Sequence, residues 1–385
     1  MQRIVYLDNA TTTALDPEVL KAMKSYFFEW YGSPTHEYGH SFGLKAREAL
    51  EKSRKIIARS IGAKPQEIIF TSGGTESNNL AIKGLALASK GKSRLITSKI
   101  EHASVLNVVK SLGKIGFQTS YIDVDGEGFV DLEQLEKTID KQTLLVSIQH
   151  ANQEIGTIQD IKEIGRICKE KEVLFHVDAA QSFTKVPIDV EKMNIDLLSI
   201  SAHKIHGPKG IGALYVREGV KLKPLIEGGY NEFGLRSGTE NIPGIVGFAK
   251  AVEIADESQI EHMRSLRDYL MDGLLEIHDS KLNGPKGEKR LCNNVNITFK
   301  YVEGESVLLH LDMRGIIVTT GSACFSKTLQ PSHVILALGL KHEDAHGSIR
   351  FSLSKYNTLE EMDYAIKNVK EVVEELRVIS PVGRR

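Results

Sequence analysis

Three short stretches of this 385-residue chain hold residue types whose spacing could do chemistry. Phe70-Thr71-Ser72-Gly73-Gly74-Thr75-Glu76-Ser77-Asn78 runs from an apolar stretch through paired glycines into a helical pattern. Glycines let backbone amides approach an anion, hydroxyls add donors, and a helix N-terminus adds partial positive charge, so a phosphate fits here. A tight turn with an N-cap is the plainer alternative. The stretch matches neither GxGxxG nor the P-loop, which argues against a dinucleotide or Walker-type nucleotide site. His176-Val177-Asp178-Ala179-Ala180-Gln181 delivers an acid from the end of a second apolar run. Ligands of open α/β sheets bind beyond such ends, although a solvated aspartate capping the next helix would read the same way. Twenty-six residues after Asp178, Ser201-Ala202-His203-Lys204-Ile205-His206-Gly207-Pro208 sets a lysine directly after a third run. Partial burial would lower its pKa and free the amine to form a Schiff base. A lysine snorkelling to solvent is the alternative.

Taken together, a phosphate cradle, an acid and an amine at one sheet edge meet the needs of pyridoxal 5′-phosphate (PLP): phosphate anchoring, a carboxylate on the pyridinium nitrogen, and a Schiff-base lysine. The acid would keep the ring nitrogen protonated, which makes the ring an electron sink. His102, after Ser98-Lys99-Ile100-Glu101, could lie flat on the ring, though a lone histidine more often caps or fills a core.

The elements that must position these residues alternate. Strand patterns fall at Glu67–Thr71, Arg94–Ser98, Gln118–Ile122, Leu144–Gln149, Val173–Asp178, Leu197–Ser201 and Gly212–Val216, several nearly all apolar, as strands buried on both faces are. Helical spacing occupies Glu76–Ala88, Ala103–Leu112, Leu132–Ile139 and Ile161–Lys171. Alternation of this kind predicts a mostly parallel sheet covered by helices. After about residue 255 the pattern changes to an amphipathic stretch at Ile260–Ile277, a turn at Asn283–Gly287, an alternating strand at Asn294–Phe299 and a last helix near Leu359–Leu376. The expected organisation is a large domain over residues 15–255 and a smaller α+β domain formed by 1–14 and 256–385.

Lysine plus arginine (49) nearly cancels aspartate plus glutamate (50), so no global field favours nucleic acid or an anionic membrane. No apolar run approaches the roughly 20 residues of a spanning helix, and the N-terminus has no signal-peptide pattern; the expectation is a cytoplasmic protein. Three cysteines, Cys168, Cys292 and Cys324, allow neither a disulfide framework nor paired metal-ligand spacing. Cys168 extends the apolar face of a helix and Cys292 opens a strand, so both read as core thiols. Cys324 lies instead among small and polar residues, in Thr319-Thr320-Gly321-Ser322-Ala323-Cys324, on a stretch closed by Pro331 that reads as a mobile loop.

The motifs Thr-Ser-Gly-Gly-Thr-Glu-Ser-Asn-Asn (71–79), Glu-His-Ala-Ser (101–104), Asn-Gln-Glu-Ile-Gly-Thr (152–157), Asp-Ala-Ala-Gln (178–181), Ser-Ala-His-Lys (201–204) and Leu-Arg-Ser-Gly-Thr-Glu-Asn (235–241) closely resemble class V PLP enzymes. They are most similar to the NifS/IscS-like cysteine desulfurases, and the resemblance runs from Tyr6-Leu7-Asp8 to Ser348–Leu353. It implies the PLP-dependent transferase type I (aspartate aminotransferase-like) fold. It also implies that Lys204 carries the cofactor and moves protons, Asp178 pairs with the ring nitrogen, His102 stacks on the ring and Gln181 bonds the phenolic oxygen. Gly74, Thr75, Ser201 and His203 would hold the phosphate, with Thr239 reaching the phosphate of the other subunit of a homodimer. Asn152 and Arg350 would hold the substrate carboxylate, a task suited to a planar bidentate donor, and Asn152 would also touch the cofactor.

The same resemblance makes Cys324 the nucleophile that takes sulfur from L-cysteine as a persulfide and leaves L-alanine. The length of its loop implies direct delivery to an iron–sulfur scaffold or a tRNA-thiolation protein. It leaves open whether Cys324 ligates a cluster in passing; no resident metal is expected. Two departures stand out: Phe325 and Lys327 follow the cysteine where small residues are usual, and Gly228-Gly229-Tyr230-Asn231-Glu232-Phe233-Gly234 replaces Gly-Gly-Gln-Glu-Arg. A selenocysteine lyase or another class V enzyme is the alternative reaction. A non-catalytic scaffold would be expected to lose Lys204 or Asp178, and both are present.

Overall fold

The computed structural model describes residues 3–34, 39–321 and 331–380. After a short strand β1 (Val5–Tyr6), the apolar runs form β2 (Ile68–Thr71), β3 (Arg94–Ser98), β4 (Gln118–Ile122), β5 (Thr143–Gln149), β6 (Leu174–Asp178), β7 (Leu197–Ser201) and β8 (Gly212–Val216). Every residue of β2, β5, β7 and β8 is buried, as burial under helices on both faces requires. The seven strands form one sheet in the order β2-β8-β7-β6-β5-β3-β4. Only β8 runs against its neighbours, so the carboxyl ends of the other six lie on one edge.

The expected helices appear at Ala103–Gly113, Leu132–Thr138 and Ile161–Glu170, each started by a side-chain cap from His102, Asp131 or Asp160. The stretch Glu76–Ala88 is helical from Gly74 but passes through a π turn at Leu80–Gly84. Helices at Pro17–Phe28 and Ser41–Ser60, which periodicity had not marked, both pack on a third such helix at Ile242–Glu253. Two apolar cores lie against the sheet.

A second sheet forms from β9 (Ser280–Leu282), β10 (Asn294–Phe299) and, beyond β11 (Ile316–Ile317), β12 (Ser348–Ser352), in the antiparallel order β12-β10-β9. Its core joins Leu270, Phe299, Phe351 and Val369 to Val5 and Leu7 of the N-terminal arm, and β1 pairs with β11. The arm serves both units. Its start bonds β12, with Ser352 N donating to Leu7 O at 2.7 Å, whereas Thr13 N donates to His203 O and Asp16 N to His206 O, both at 3.0 Å.

The unusual 228–234 segment is anchored to β2. Arg54 donates to both Glu232 carboxylate oxygens at 2.7 and 2.8 Å and stacks between the rings of Phe70 and Phe233. Glu232 also accepts the Phe70 amide at 2.8 Å. Glu232 and Phe233 take positive φ values of 45° and 56°, conformations that non-glycine residues hold only when surrounding contacts enforce them.

Candidate active site

Strand register brings the chemistry together. Gln149 of β5 lies opposite Asp178 of β6, and Asp178 lies opposite Ser199 of β7, two residues before Ser201. Beyond this edge opens a cavity of about 300 Å³. Gly74, Thr75, His102, Asp178, Ser201 and Lys204 line it, as do Gln181, His203 and Arg350.

Asp178 is 7% exposed. Its Oδ1 accepts the Ala180 amide at 3.0 Å and its Oδ2 accepts Asn78 Nδ2 at 2.7 Å. Asn78 also donates to Ser104 Oγ at 2.8 Å, and Ser104 Oγ lies 2.7 Å from His102 Nδ1. That nitrogen accepts the Ser104 amide at 3.1 Å, which leaves Nε2 as the protonated nitrogen of the neutral ring. Burial lowers the pKa of His102, with Asp178 opposing and Lys204 reinforcing the shift. Sequence reasoning had given Asn78 no part in this relay from acid to ring; its only signal was its place in the glycine-turn motif.

Lys204 Nζ donates to the carbonyls of Ala10 and Thr11, both at 2.6 Å. Burial, then the charges of Arg350 and Lys185, bring its pKa down from 10.5 to about 7, with Asp8 and Asp178 opposing. Gln181 Nε2 donates to Ala10 O at 2.9 Å, and His203 Nδ1 lies 3.1 Å from Thr12 Oγ1. The N-terminal arm thus occupies one wall. Arg350 Nη2 donates to Asp8 Oδ1 and Thr11 Oγ1, both at 2.8 Å, and its Nη1 donates to Gln153 O at 3.1 Å. Arg350 Nε is buried without a partner.

The phosphate reading passes a test of fit. Ser201 Oγ is buried with no hydrogen-bond partner, and it points to the turn at Gly73, whose φ of 147° lies in the region glycine favours. A Cβ at Gly212 would meet Ile200 O at 2.6 Å and Gly73 Cα at 2.7 Å, so the turn packs on β8 only because that position is bare. An orphaned hydroxyl, a glycine turn opening a helix, an acid and a near-neutral lysine are a donor set suited to PLP.

Other expected residues fall differently. Asn152 does not line the cavity. Its amide donates to Ile100 O at 2.9 Å and its carbonyl accepts the Glu154 and Ile155 amides, so the side chain serves the turn itself. Gln153 and Glu154 line the wall instead. Burial raises Glu154 from 4.5 to about 7, opposed by Ser332, which donates to it, and by Arg350. Thr239 is exposed and lies outside its own chain's cavity. Cys324, like Phe325 and Lys327, lies outside the described residues, but Thr320, Gly321 and His333 on either side of them line the rim. Cys168 and Cys292 are buried free thiols; burial, then Asp196, pushes Cys168 up to about 12, and burial raises Cys292. Neither is a thiolate donor at neutral pH.

Fold and cavity together define a PLP-dependent enzyme of the type I transferase fold. The family of class V aminotransferases matches residues 5–365, and the chain belongs to it, within the NifS/IscS-like cysteine desulfurases. Cysteine desulfurase IscS of Dictyoglomus turgidum is 52% identical over 387 residues, which cover 99% of this chain and 97% of that one. A solved NifS-like protein superposes with a TM-score of 0.90 at 43% identity, covering 97% of this chain and 100% of its own. SspA, solved in complex with cysteine, gives a TM-score of 0.82 at 40% identity, over 92% of this chain and 99% of SspA. No described helix is long and apolar enough to cross a membrane.

Proposed function

We propose that this protein is a PLP-dependent desulfurase that converts L-cysteine to L-alanine and takes the sulfur as a persulfide on Cys324. The observation that carries the reading is the convergence of Lys204, Asp178, His102 and Arg350 on one cavity whose rim holds Gly321, three residues from Cys324. When bound, PLP supplies an electron sink for charge developing at the substrate α-carbon. Asp178, held by Asn78, would keep the ring nitrogen protonated; Gly74, Thr75, Ser201 and His203 would hold the phosphate, Gln181 the phenolic oxygen, and His102 the ring face. Lys204 Nζ, near neutrality at about 7, accepts the α-proton and returns it. Arg350 exchanges Asp8 for the substrate carboxylate. The Cys324 thiolate attacks the substrate sulfur; an S–S bond forms, the substrate C–S bond breaks, and its electron pair stays with the carbon, which a proton then completes as alanine.

The reading extends to a homodimer in which Thr239 completes the partner subunit's phosphate site, supported by its exposure outside its own cavity. It includes a cytoplasmic setting, in keeping with free thiols at Cys168 and Cys292, and an iron–sulfur scaffold or tRNA-thiolation protein as sulfur acceptor. We assign residues 15–255 to a cofactor-binding domain and the rest to a small domain, because each has apolar cores of its own, with a smaller apolar cluster of Ile100, Ile155, Val334, Ile335, Leu338 and Ala345 where the two meet. The test is alanine release from L-cysteine, under reductant, by the PLP-loaded protein and by Cys324→Ser. Release by the first and almost none by the second is expected. Equal release would move Cys324 out of the chemistry, and none from either would point to another amino-acid substrate.

A further inference from the structure

Beneath the active-site floor lies a small cleft bordered by Thr184, Lys185, Lys204, His206, Asn293 and Lys355, and no step above uses Lys185. The chain leaves β6 through a tight helical turn, with Phe183 N donating to Ala179 O and Lys185 N to Ser182 O. The turn ends at Thr184, whose φ is 63°. A β-branched residue in the left-handed region is a genuine outlier, and such strain persists where surrounding structure enforces it, often beside functional groups. The effect of the strained turn is to aim Lys185 inward. Its Nζ donates to Gln181 O at 3.0 Å and to Lys204 O at 3.2 Å. Both carbonyls belong to residues whose side chains line the cavity above. One amine therefore staples the turn after β6 to the turn after β7.

We propose that Lys185 is a positioning residue for the reaction: by tying the carbonyls of residues 181 and 204 from beneath, it fixes the backbone that carries the Lys204 amine and sets a second amine below it. This rests on the reading of Lys204 as the cofactor lysine. The charged and titratable groups around the two amines are Arg350, Asp8, Asp178, His102 and His203 toward the cavity, and Cys292, His206, Lys355, Asp16 and Asp256 toward the cleft. Arg350 from the cavity side and Lys185 itself are the cations that disfavour a proton on Lys204.

The test uses the full chain with Lys185→Met, and with Lys185→Gln, which keeps a donor but no charge, should the first not fold. In PLP-loaded protein, the pH midpoint of the cofactor's visible absorption change is expected to rise by roughly half a unit to one unit. In cofactor-free protein, reductive methylation of Lys204, followed by peptide mass spectrometry near pH 7, is expected to slow about twofold to fivefold, since raising a pKa of about 7 by half a unit to one unit cuts the free-amine fraction at pH 7 from about one half to roughly a quarter or a tenth. Lys185→Arg should restore both. A purely structural staple would alter melting temperature and leave both pH profiles in place. Profiles from a folded variant that superimpose on those of the unaltered chain overturn the proposal. If the unaltered chain binds no PLP at Lys204, the reading of the site fails, while the methylation profile still decides the part played by Lys185.

Discussion

At the residue scale, the site depends on how its acid is held. Asp178 would face the ring nitrogen, yet a carboxylate can rotate, and it is Asn78 Nδ2, 2.7 Å from Oδ2, that opposes rotation. Replacing Asn78 by Ala removes a hydrogen bond to a charged group, worth about 1.5–3 kcal/mol, and leaves Ser104 without its donor. The expected outcome is PLP affinity weakened by roughly tenfold or more, read by equilibrium dialysis; unchanged affinity would show that the Ala180 amide suffices. Asp178 and Lys204 were legible in the sequence because, although each alone has an ordinary reading, an acid, a lysine and a glycine turn at the ends of successive apolar runs together meet the needs of one cofactor. Asn78 was not, because an amide in a helix start gains meaning only when its partner 100 residues away is placed beside it.

The element that matters most is the glycine turn between β2 and the helix from Gly74. It approaches the sheet closely enough that Gly212, at the start of β8, must be bare. Gly212→Ala would press a methyl within 2.7 Å of Gly73 Cα, and overpacking of this kind costs about 1–3 kcal/mol. The turn would have to shift, and PLP binding would fall more than overall stability; comparing cofactor affinity with the urea midpoint distinguishes the two, and a loss confined to stability would count against a phosphate-binding turn. At this scale the sequence marked both the turn and the strand that became β8 (Gly212–Val216), but not that Gly212 must be bare for the two to pack. The wall contact of Gln153 carried no signal either, since which side chain of a turn faces a cavity is set by backbone geometry.

For the whole molecule, the two domains meet at an apolar cluster of Ile100, Ile155, Val334 and Ile335 and through polar contacts of the N-terminal arm. Asp16, at the cap of the Pro17–Phe28 helix, accepts hydrogen bonds from Lys355 Nζ and Tyr356 OH at 2.6 Å. Burial alone would raise its pKa, but these bonds and the Glu18 amide outweigh it and bring the carboxyl from 3.8 down to about 2. The sign follows: the folded state gains stability from ionised Asp16 above about pH 4, and loses it as pH falls toward about 2. Asp16→Asn is therefore expected to lower the unfolding free energy by about 1–3 kcal/mol at neutral pH, with the difference narrowing near pH 3 in urea titrations. A difference that does not change with pH would remove the ion pair from the account. At the same scale, sedimentation of the loaded protein is expected to give a dimer; a monomer with full PLP affinity would exclude Thr239 from the phosphate site.

By itself the sequence determined the alternation of strands and helices, the strand-end positions of Asp178, Ser201 and Lys204, and, through its motifs, the family. These depend on local periodicity and on residue types with few substitutes. Only the tertiary structure decided that Asn78 and Ser104 link Asp178 to His102, that Lys185 reaches under Lys204, that Gln153 lines the cavity, and that the arm from Val5 to Asp16 serves both domains. Each of these is a contact between chain segments far apart in sequence or a choice of side-chain direction within a turn, and neither leaves a periodic trace to read.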